Sequence, residues 1–134
     1  MLTSLTVRDV VLIDHLALDF PAGLCVLTGE TGAGKSILLD ALGLALGGRA
    51  EARLVRAGGG PATVTAAFQV APGAPVLAEL EEHGIPPLDD NGDGGGLIIL
   101  RRTLGVDGRS RAFINDAPVS VGLLKRVGED LVEI

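Results

Sequence analysis

The sequence contains no tryptophan or tyrosine and only three phenylalanines among 134 residues. Hydrophobic residues nevertheless make up 47% of the chain, and the mean hydropathy is +0.44. This composition indicates a globular chain whose core is built from aliphatic side chains. At this length we expect one hydrophobic core rather than two.

Positive charge is also scarce. Eleven lysines and arginines face 17 acidic residues, which gives a formal net charge of -6. Because neutralising many phosphates requires a basic face, this balance argues against a broad nucleic-acid footprint. Any DNA contact is therefore predicted to be local.

The sequence lacks features of exported and membrane proteins. Its one cysteine, Cys25, has no disulfide partner, and the first residues show no apolar core of the signal-peptide type. The longest nearly apolar stretch, Ile37–Leu46, contains Asp40 and is shorter than the roughly 20 residues of a membrane-spanning helix. We predict a cytoplasmic protein without a membrane segment.

The pattern of apolar residues predicts an α/β fold. Leu2–Arg8 and His15–Phe20 alternate between apolar and polar side chains, which predicts two strands that pair. Leu24–Thr28 is continuously apolar, as in a strand covered on both faces. Lys35–Leu46 is predicted to form a buried helix that ends at the pair Gly47-Gly48.

The second half of the chain continues to alternate strand-like and helix-like runs. The predicted elements are a strand at Ala62–Val70, a short helix at Val76–His83, a loop at Pro86–Gly96, a β-hairpin of Leu97–Leu104 and Arg109–Ile114 joined by Gly105–Gly108, and a helix at Ser120–Gly128. The fold class is thus a mixed sheet with a β-hairpin and covering helices.

One motif carries chemistry. The run from Gly29 to Ser36 fits G-x-x-x-x-G-K-[ST] and lies between a predicted strand and a predicted helix. Its glycines let successive N–H groups point inward and form an anion nest at the positive end of that helix. The predicted nucleotide-binding residues are Gly29, Glu30, Thr31, Gly32, Ala33, Gly34, Lys35 and Ser36. A glycine-rich turn with an incidental lysine is the alternative interpretation, and the flanking strand and helix argue against it.

The motif predicts ATP and Mg²⁺ as cofactors. Lys35 is expected to contact the β- and γ-phosphates, and the hydroxyl of Ser36 to bind the metal ion. Hydrolysis also needs a carboxylate that holds the metal and a group that polarises water. No strand-like run ends in paired acids, and Asp89-Asp90 is typical of a turn, so no catalytic residue is predicted.

Three long stretches together indicate a family. They are LTSLTVRDVVLIDHLALDF before the motif, LTGETGAGKSILLDALGLALGGRA through it, and GRSRAFINDAPVSVGLLKRVGEDLVEI at the end. These stretches resemble the bacterial RecN family of DNA-repair ATPases, which are relatives of the SMC proteins. The resemblance implies an ABC-type ATPase head whose two sequence halves are separated by a long coiled coil. Residues 1–134 would be the N-terminal half, without the coiled coil, the signature motif or the catalytic acids.

The same resemblance implies a role in the repair and recombination of DNA double-strand breaks. It implies that two heads form a homodimer around ATP, that the full-length protein contacts DNA near the nucleoid, and that it hydrolyses ATP. The chain alone is expected to be inactive in hydrolysis.

Two arginines outside the motif have alternative interpretations. Arg8 lies in the first predicted strand, where SMC-type heads often place a basic residue near the nucleotide, although a solvated strand position explains it as well. Arg49 follows the predicted helix and resembles an arginine that family members carry there, facing DNA or the partner head. A charge favoured by the helix dipole is the other explanation.

The predicted hairpin is the third place with arginines. Arg109 and Arg111 alternate with small residues and so share one face, with Arg101 or Arg102 available on the neighbouring strand. They are candidates for a local phosphate contact. Charges that keep a strand edge from aggregating are the more common explanation.

Three other functions remain open at this point. The nucleotide-binding domain of an ABC transporter usually has an aromatic residue near its N-terminus for adenine, which this chain does not offer clearly. A small P-loop kinase needs a lid of arginines that the glycine-rich middle does not show. A non-catalytic nucleotide-binding module is the simplest alternative.

Overall fold

The computed structural model describes residues 2–10, 13–19, 32–48, 61–88, 95–105 and 107–132. Within them the chain forms six strands and three helices. These are β1 (Leu2–Val10), β2 (Ile13–Asp19), α1 (Gly32–Ala45), β3 (Ala62–Val70), α2 (Pro75–Glu82), β4 (Gly96–Leu104), β5 (Ser110–Ile114), β6 (Ala117–Val119) and α3 (Val121–Val132).

The six strands form one sheet in the order β2-β1-β3-β4-β5-β6. Every neighbouring pair among these strands is antiparallel. The predicted pairing of the first two strands, the strand at Ala62–Val70 and the β4–β5 hairpin are confirmed. The strand predicted at Leu24–Thr28 lies outside the described residues.

The core lies on one face of the sheet, under α1 and α3. Alternate residues of β3 and β4 are buried there, as the period of two along a strand requires. Phe68, only 2% exposed, is the one aromatic side chain among otherwise aliphatic core residues in the described part of the chain. The prediction of an aliphatic core is confirmed.

Helix α1 packs against β1, β3 and β4. Ala41, Leu42, Leu44 and Ala45 are buried in this contact, whereas Leu39 is 46% exposed. The prediction that the whole helix is buried is therefore wrong for its outer face. The sequence is apolar on nearly every face of the helix, so it does not distinguish the covered side from the open side.

The predicted stop at the glycine pair is confirmed. Gly47 has a φ of 93°, and its N–H donates to the Leu44 carbonyl at 3.2 Å. The Gly48 N–H donates to the Gly43 carbonyl at 2.8 Å. Together the two bonds are the Schellman ending of a helix, which needs a residue that tolerates the left-handed conformation.

Helix α3 crosses the end of α1 with almost no space between the two backbones. A Cβ atom on Gly47 would lie 2.5 Å from the Lys125 Cα, and one on Gly128 would lie 2.7 Å from the Leu46 carbonyl oxygen. Only glycine fits at these two positions without displacing a helix. The contact fixes where α3 lies relative to α1.

The connection after β5 contains a strand that the sequence pattern did not predict. Asn115 and Asp116, with φ of 49° and 66°, form the two central residues of a tight turn between Ile114 and Ala117. β6 follows, and Pro118 lies opposite Phe113. In the alternation of an antiparallel ladder this is a non-hydrogen-bonded position, so the nitrogen of Pro118 faces away from β5.

The side chain of Asn115 also bonds to β4 and to the segment that follows α2. Its Oδ1 accepts from the Ile99 N–H at 2.8 Å, and its Nδ2 donates to the Pro86 carbonyl at 2.8 Å. Helix α3 then starts after Ser120, whose Oγ accepts from the Leu123 N–H at 3.1 Å as an N-cap. The helix runs to Val132, four residues beyond its predicted end at Gly128.

None of the helices in the described part of the chain is long and apolar enough to cross a membrane.

Candidate functional site

The phosphate-binding motif is divided between described and undescribed residues. Gly29, Glu30 and Thr31 lie outside the described residues, and the side chains of Gly32–Ser36 are not described either. The backbone of Gly32–Ser36 forms the start of α1. The helix predicted after the motif is confirmed, and it begins three residues earlier than the predicted Lys35.

This placement puts the second half of the motif in the first turns of a 14-residue helix. The first four N–H groups of a helix have no partner within it, and the helix dipole makes that end positive. No acidic residue lies in the first turn of α1. The backbone of this segment therefore fits a phosphate group.

At the other end of α1 lies a buried arginine. Arg102, on β4, is 2% exposed, and its Nη1 donates to the carbonyl oxygens of Leu44 at 3.1 Å and Gly48 at 2.8 Å. Its Nε donates to the Ser110 Oγ on β5. Burial lowers the pKa of the Arg102 guanidinium below its ordinary value. Because α1 has no basic residue in its last turn, Arg102 supplies the cation that its negative end favours.

The side chains of the two adjacent arginines of β4 lie on opposite faces of the sheet. Arg102 faces the core, whereas Arg101 faces the other side of the sheet opposite Phe113. The Arg101 guanidinium lies 4.3 Å from the centre of the Phe113 ring, and its Nη1 is 3.0 Å from Asp116 Oδ1. Of the two candidates named with Arg109 and Arg111, only Arg101 is on their side.

A row of polar residues crosses the face of the sheet opposite the helices. Arg8 on β1 pairs with Thr63 on β3, Thr63 pairs with Thr103 on β4, and Thr103 pairs with Arg111 on β5. We call Arg8, Thr63, Thr103 and Arg111 the distal row. Both arginines of the distal row are exposed, and both threonines are half-buried. With strands about 4.8 Å apart, its ends are separated by roughly 14 Å.

A shallow concavity adjoins the distal row at the hairpin. It has a volume of about 490 Å³ and is lined by Pro61, Thr63, Thr103, Gly105, Asp107, Arg109 and Arg111. Arg109 is 82% exposed, and its Nε lies 3.5 Å from Asp107 Oδ2. The prediction that Arg109 and Arg111 share one face is confirmed by this shared lining.

The other sequence candidates have different outcomes. Arg8 is an exposed residue of β1. Because Gly29, Glu30 and Thr31 lie outside the described residues, its contact with the nucleotide stays a prediction. Arg49 lies outside the described residues as well. Among the described residues, no group of three His, Cys, Asp or Glu side chains is placed to hold a metal ion. Arg102 is the residue whose role the sequence did not reveal.

Comparisons with known proteins agree with this geometry. Residues 4–85 match the family described as AAA domain. Over its whole length the chain is 42% identical to the DNA repair protein RecN of Halalkalibacterium halodurans, of which it covers 23%. The chain thus spans about a quarter of the length of the curated relatives it matches, and the predicted resemblance to RecN is confirmed.

Solved structures show the same fold. One, from work on ATP-driven dimerization and DNA-stimulated activation of SMC ATPases, has a TM-score of 0.67 at 20% identity and covers 98% of this chain and 79% of that chain. The SMC head domain from Thermotoga maritima has a TM-score of 0.59 at 18% identity, over 93% of this chain and 41% of that chain. The fold of the chain is therefore that of part of an SMC head domain.

Proposed function

The chain belongs to the AAA domain family, and we propose that it is the ATP-binding lobe of a RecN-like ATPase that acts in DNA double-strand break repair and recombination. The observation that carries the proposal is the motif from Gly29 to Ser36, whose last five residues begin α1. The similarity of the whole chain to proteins named DNA repair protein supports the role in repair.

In this proposal the residues of the motif have separate roles. The free N–H groups at the start of α1 bind phosphate oxygens, and Lys35 adds a compact positive charge for the β- and γ-phosphates. The hydroxyl of Ser36 is the protein ligand for Mg²⁺. Gly29, Gly32 and Gly34 let the backbone come close to the nucleotide, where a larger side chain would leave less space.

Hydrolysis and assembly belong to the whole protein. The chain accounts for about a quarter of its relatives, so we propose that residues elsewhere supply the catalytic acids and that two heads form a homodimer around ATP. The dimerization described for SMC ATPases supports this arrangement. A transporter domain is not favoured, because the relatives are DNA repair proteins. We place the protein in the cytoplasm, in contact with the nucleoid.

The distal row is the proposed local contact with DNA. Arg8 and Arg111 have no ion-pair partner among the described residues, and the half-buried threonines between them offer hydroxyl groups. DNA carries one negative charge per roughly 1.7 Å of its axis, so a row of about 14 Å reaches several phosphates. A local site of this kind agrees with a net charge of -6 for the chain.

The ATP-binding proposal is tested with the two lysines of the sequence, Lys35 and Lys125. Titration with a fluorescent ATP analogue in the presence of Mg²⁺ should give saturable binding for the wild type and for Lys125→Ala. Lys125 is exposed on α3 and is therefore the matched control. Lys35→Ala should lose binding without a change in unfolding temperature. Equal affinity of the Lys35→Ala and wild-type proteins would refute the assignment of the motif.

The DNA contact is tested by the salt dependence of binding to a duplex. Arg111→Ala should weaken binding and reduce the slope of log K against log salt by about 0.9 for the lost phosphate contact. Lys125→Ala removes one positive charge elsewhere and should leave the slope unchanged. If both variants reduce the slope equally, the effect reflects net charge, and the distal row is not the contact.

A further inference from the structure

Arg102 joins its own β-hairpin to a segment that is far away in the sequence. Its guanidinium bonds to Ser110 on β5 and to the carbonyl groups of Leu44 and Gly48, which lie 58 and 54 residues away along the chain. The side chain is 2% exposed. It therefore connects the β4–β5 hairpin to the C-terminal end of α1.

A guanidinium is an expensive group for a purely packing role. Burying a cation carries a desolvation penalty, and apolar side chains of similar volume often stabilise such positions better. All acceptors of Arg102 among the described residues are neutral oxygens. Two of them are at the negative end of α1, which stabilises a nearby cation.

The hydrogen bonds of Arg102 connect the two proposed binding sites. Ser110 lies between Arg109 and Arg111, which line the concavity beside the distal row. The other end of α1 begins with the phosphate-binding motif. A helix of 14 residues is a rigid rod of roughly 21 Å, so a force on its last turn reaches its first turn.

We propose that Arg102 is a positioning residue, which couples occupancy of the DNA-binding face at the hairpin to the placement of α1 and so to ATP affinity. The inference rests on the proposed ATP and DNA sites. Displacement of Arg109 or Arg111 by a DNA phosphate moves Ser110, and the two bonds of Arg102 Nη1 transmit that movement to α1. Without Arg102 the two sites still bind their ligands but no longer influence each other.

The test measures ATP affinity of the full-length protein with and without a short blunt-ended DNA duplex. The ratio of these two affinities is the coupling. The wild type should show coupling of about 5-fold or more, the lower range for linked sites. Ser110→Ala removes the hairpin bond but leaves both bonds to α1, so it should bring the ratio close to one with ATP affinity unchanged in the absence of DNA. Arg102→Met should also bring the ratio close to one, and Arg102→Lys should restore part of it.

Arg126→Met is the control for loss of stability. It breaks the 3.0 Å contact of Arg126 with Glu79, between α3 and α2, without touching Arg102. This variant should keep the wild-type ratio even if its unfolding temperature falls. Should Arg102→Met fail to fold, Ser110→Ala and Arg102→Lys carry the test.

The outcomes separate the inference from the function on which it rests. A wild-type protein that does not bind ATP removes the proposed function and this inference with it. A wild-type protein that binds ATP equally well with and without DNA overturns the inference alone. So does a Ser110→Ala variant that retains the full wild-type coupling.

Discussion

Gly128 is the position where one added methyl group tests the packing of α3 on α1. In Gly128→Ala the new Cβ would lie 2.7 Å from the Leu46 carbonyl oxygen and 3.1 Å from the Leu46 Cα. An ordinary contact begins near 3.4 Å, so the two backbones must separate by about 0.7 Å. The atoms in the way belong to the main chain of Leu46, directly after α1, and a main chain has no rotamer that would relieve the contact.

The net effect follows from two opposing terms. Overpacking of this kind costs about 1–3 kcal/mol, whereas alanine in place of a helical glycine gains about 0.5–1 kcal/mol. The two ranges combine to a net loss of about 0–2.5 kcal/mol of unfolding free energy, and the 2.7 Å contact with a main-chain oxygen places Gly128→Ala in the upper half of that range. Gly122→Ala, in the same helix, has the Ser120 Oγ at 3.9 Å as its nearest contact, so it should gain about 0.5–1 kcal/mol.

Urea unfolding followed by circular dichroism measures both variants. The midpoints should move in opposite directions while the slope with denaturant stays the same, because neither substitution changes the surface exposed on unfolding. A Gly128→Ala variant at least as stable as the wild type would refute the close approach of α1 and α3. Destabilisation by Gly122→Ala to the same extent would show that alanine acts through something other than this contact.

Three further substitutions have defined outcomes. Asn115→Ala removes an acceptor for the Ile99 N–H and a donor to the Pro86 carbonyl at a positive φ, so thermal unfolding should show a loss of about 1–3 kcal/mol; an unchanged midpoint would contradict the turn. Arg101→Ala removes one cation–π contact and one exposed ion pair, and should cost only about 0.5–1 kcal/mol in the same assay. Ser36→Ala should weaken binding of ATP in Mg²⁺ but not in EDTA, as measured by calorimetry; equal weakening in both buffers would exclude a role in metal binding.

Much of the fold was predictable because its strands have one buried face. The period of two gave the bounds of β3, and in β4 and β5 it gave the hairpin with an error of one residue at either start. β6 was missed because it has three residues with a proline at the centre, and because its turn is Asn-Asp rather than the more familiar Asn-Gly. The hydrogen bonds of the Asn115 side chain to Ile99 and Pro86 could not be predicted either, because these partners meet Asn115 only in the folded chain.

The candidate site was predictable where a motif or a period defines it. The motif predicted a helix directly after the glycines, and α1 begins inside it. The direction of Arg102 was also within reach of the sequence, since it has the same parity as Leu100 and Leu104 and therefore faces the core. Its acceptors were not, because the carbonyl groups at the end of α1 meet β4 only after the chain has folded.

Pro118 has a consequence for how copies of this protein can associate. One of the two outermost described strands of the sheet, β6, has at its centre a nitrogen that faces outward and has no hydrogen to donate. A strand from another molecule that approached this side would leave a gap in its ladder at the middle of only three residues. Sheet extension is therefore blocked at the β6 edge, and two copies cannot join their sheets by pairing β6 with β6.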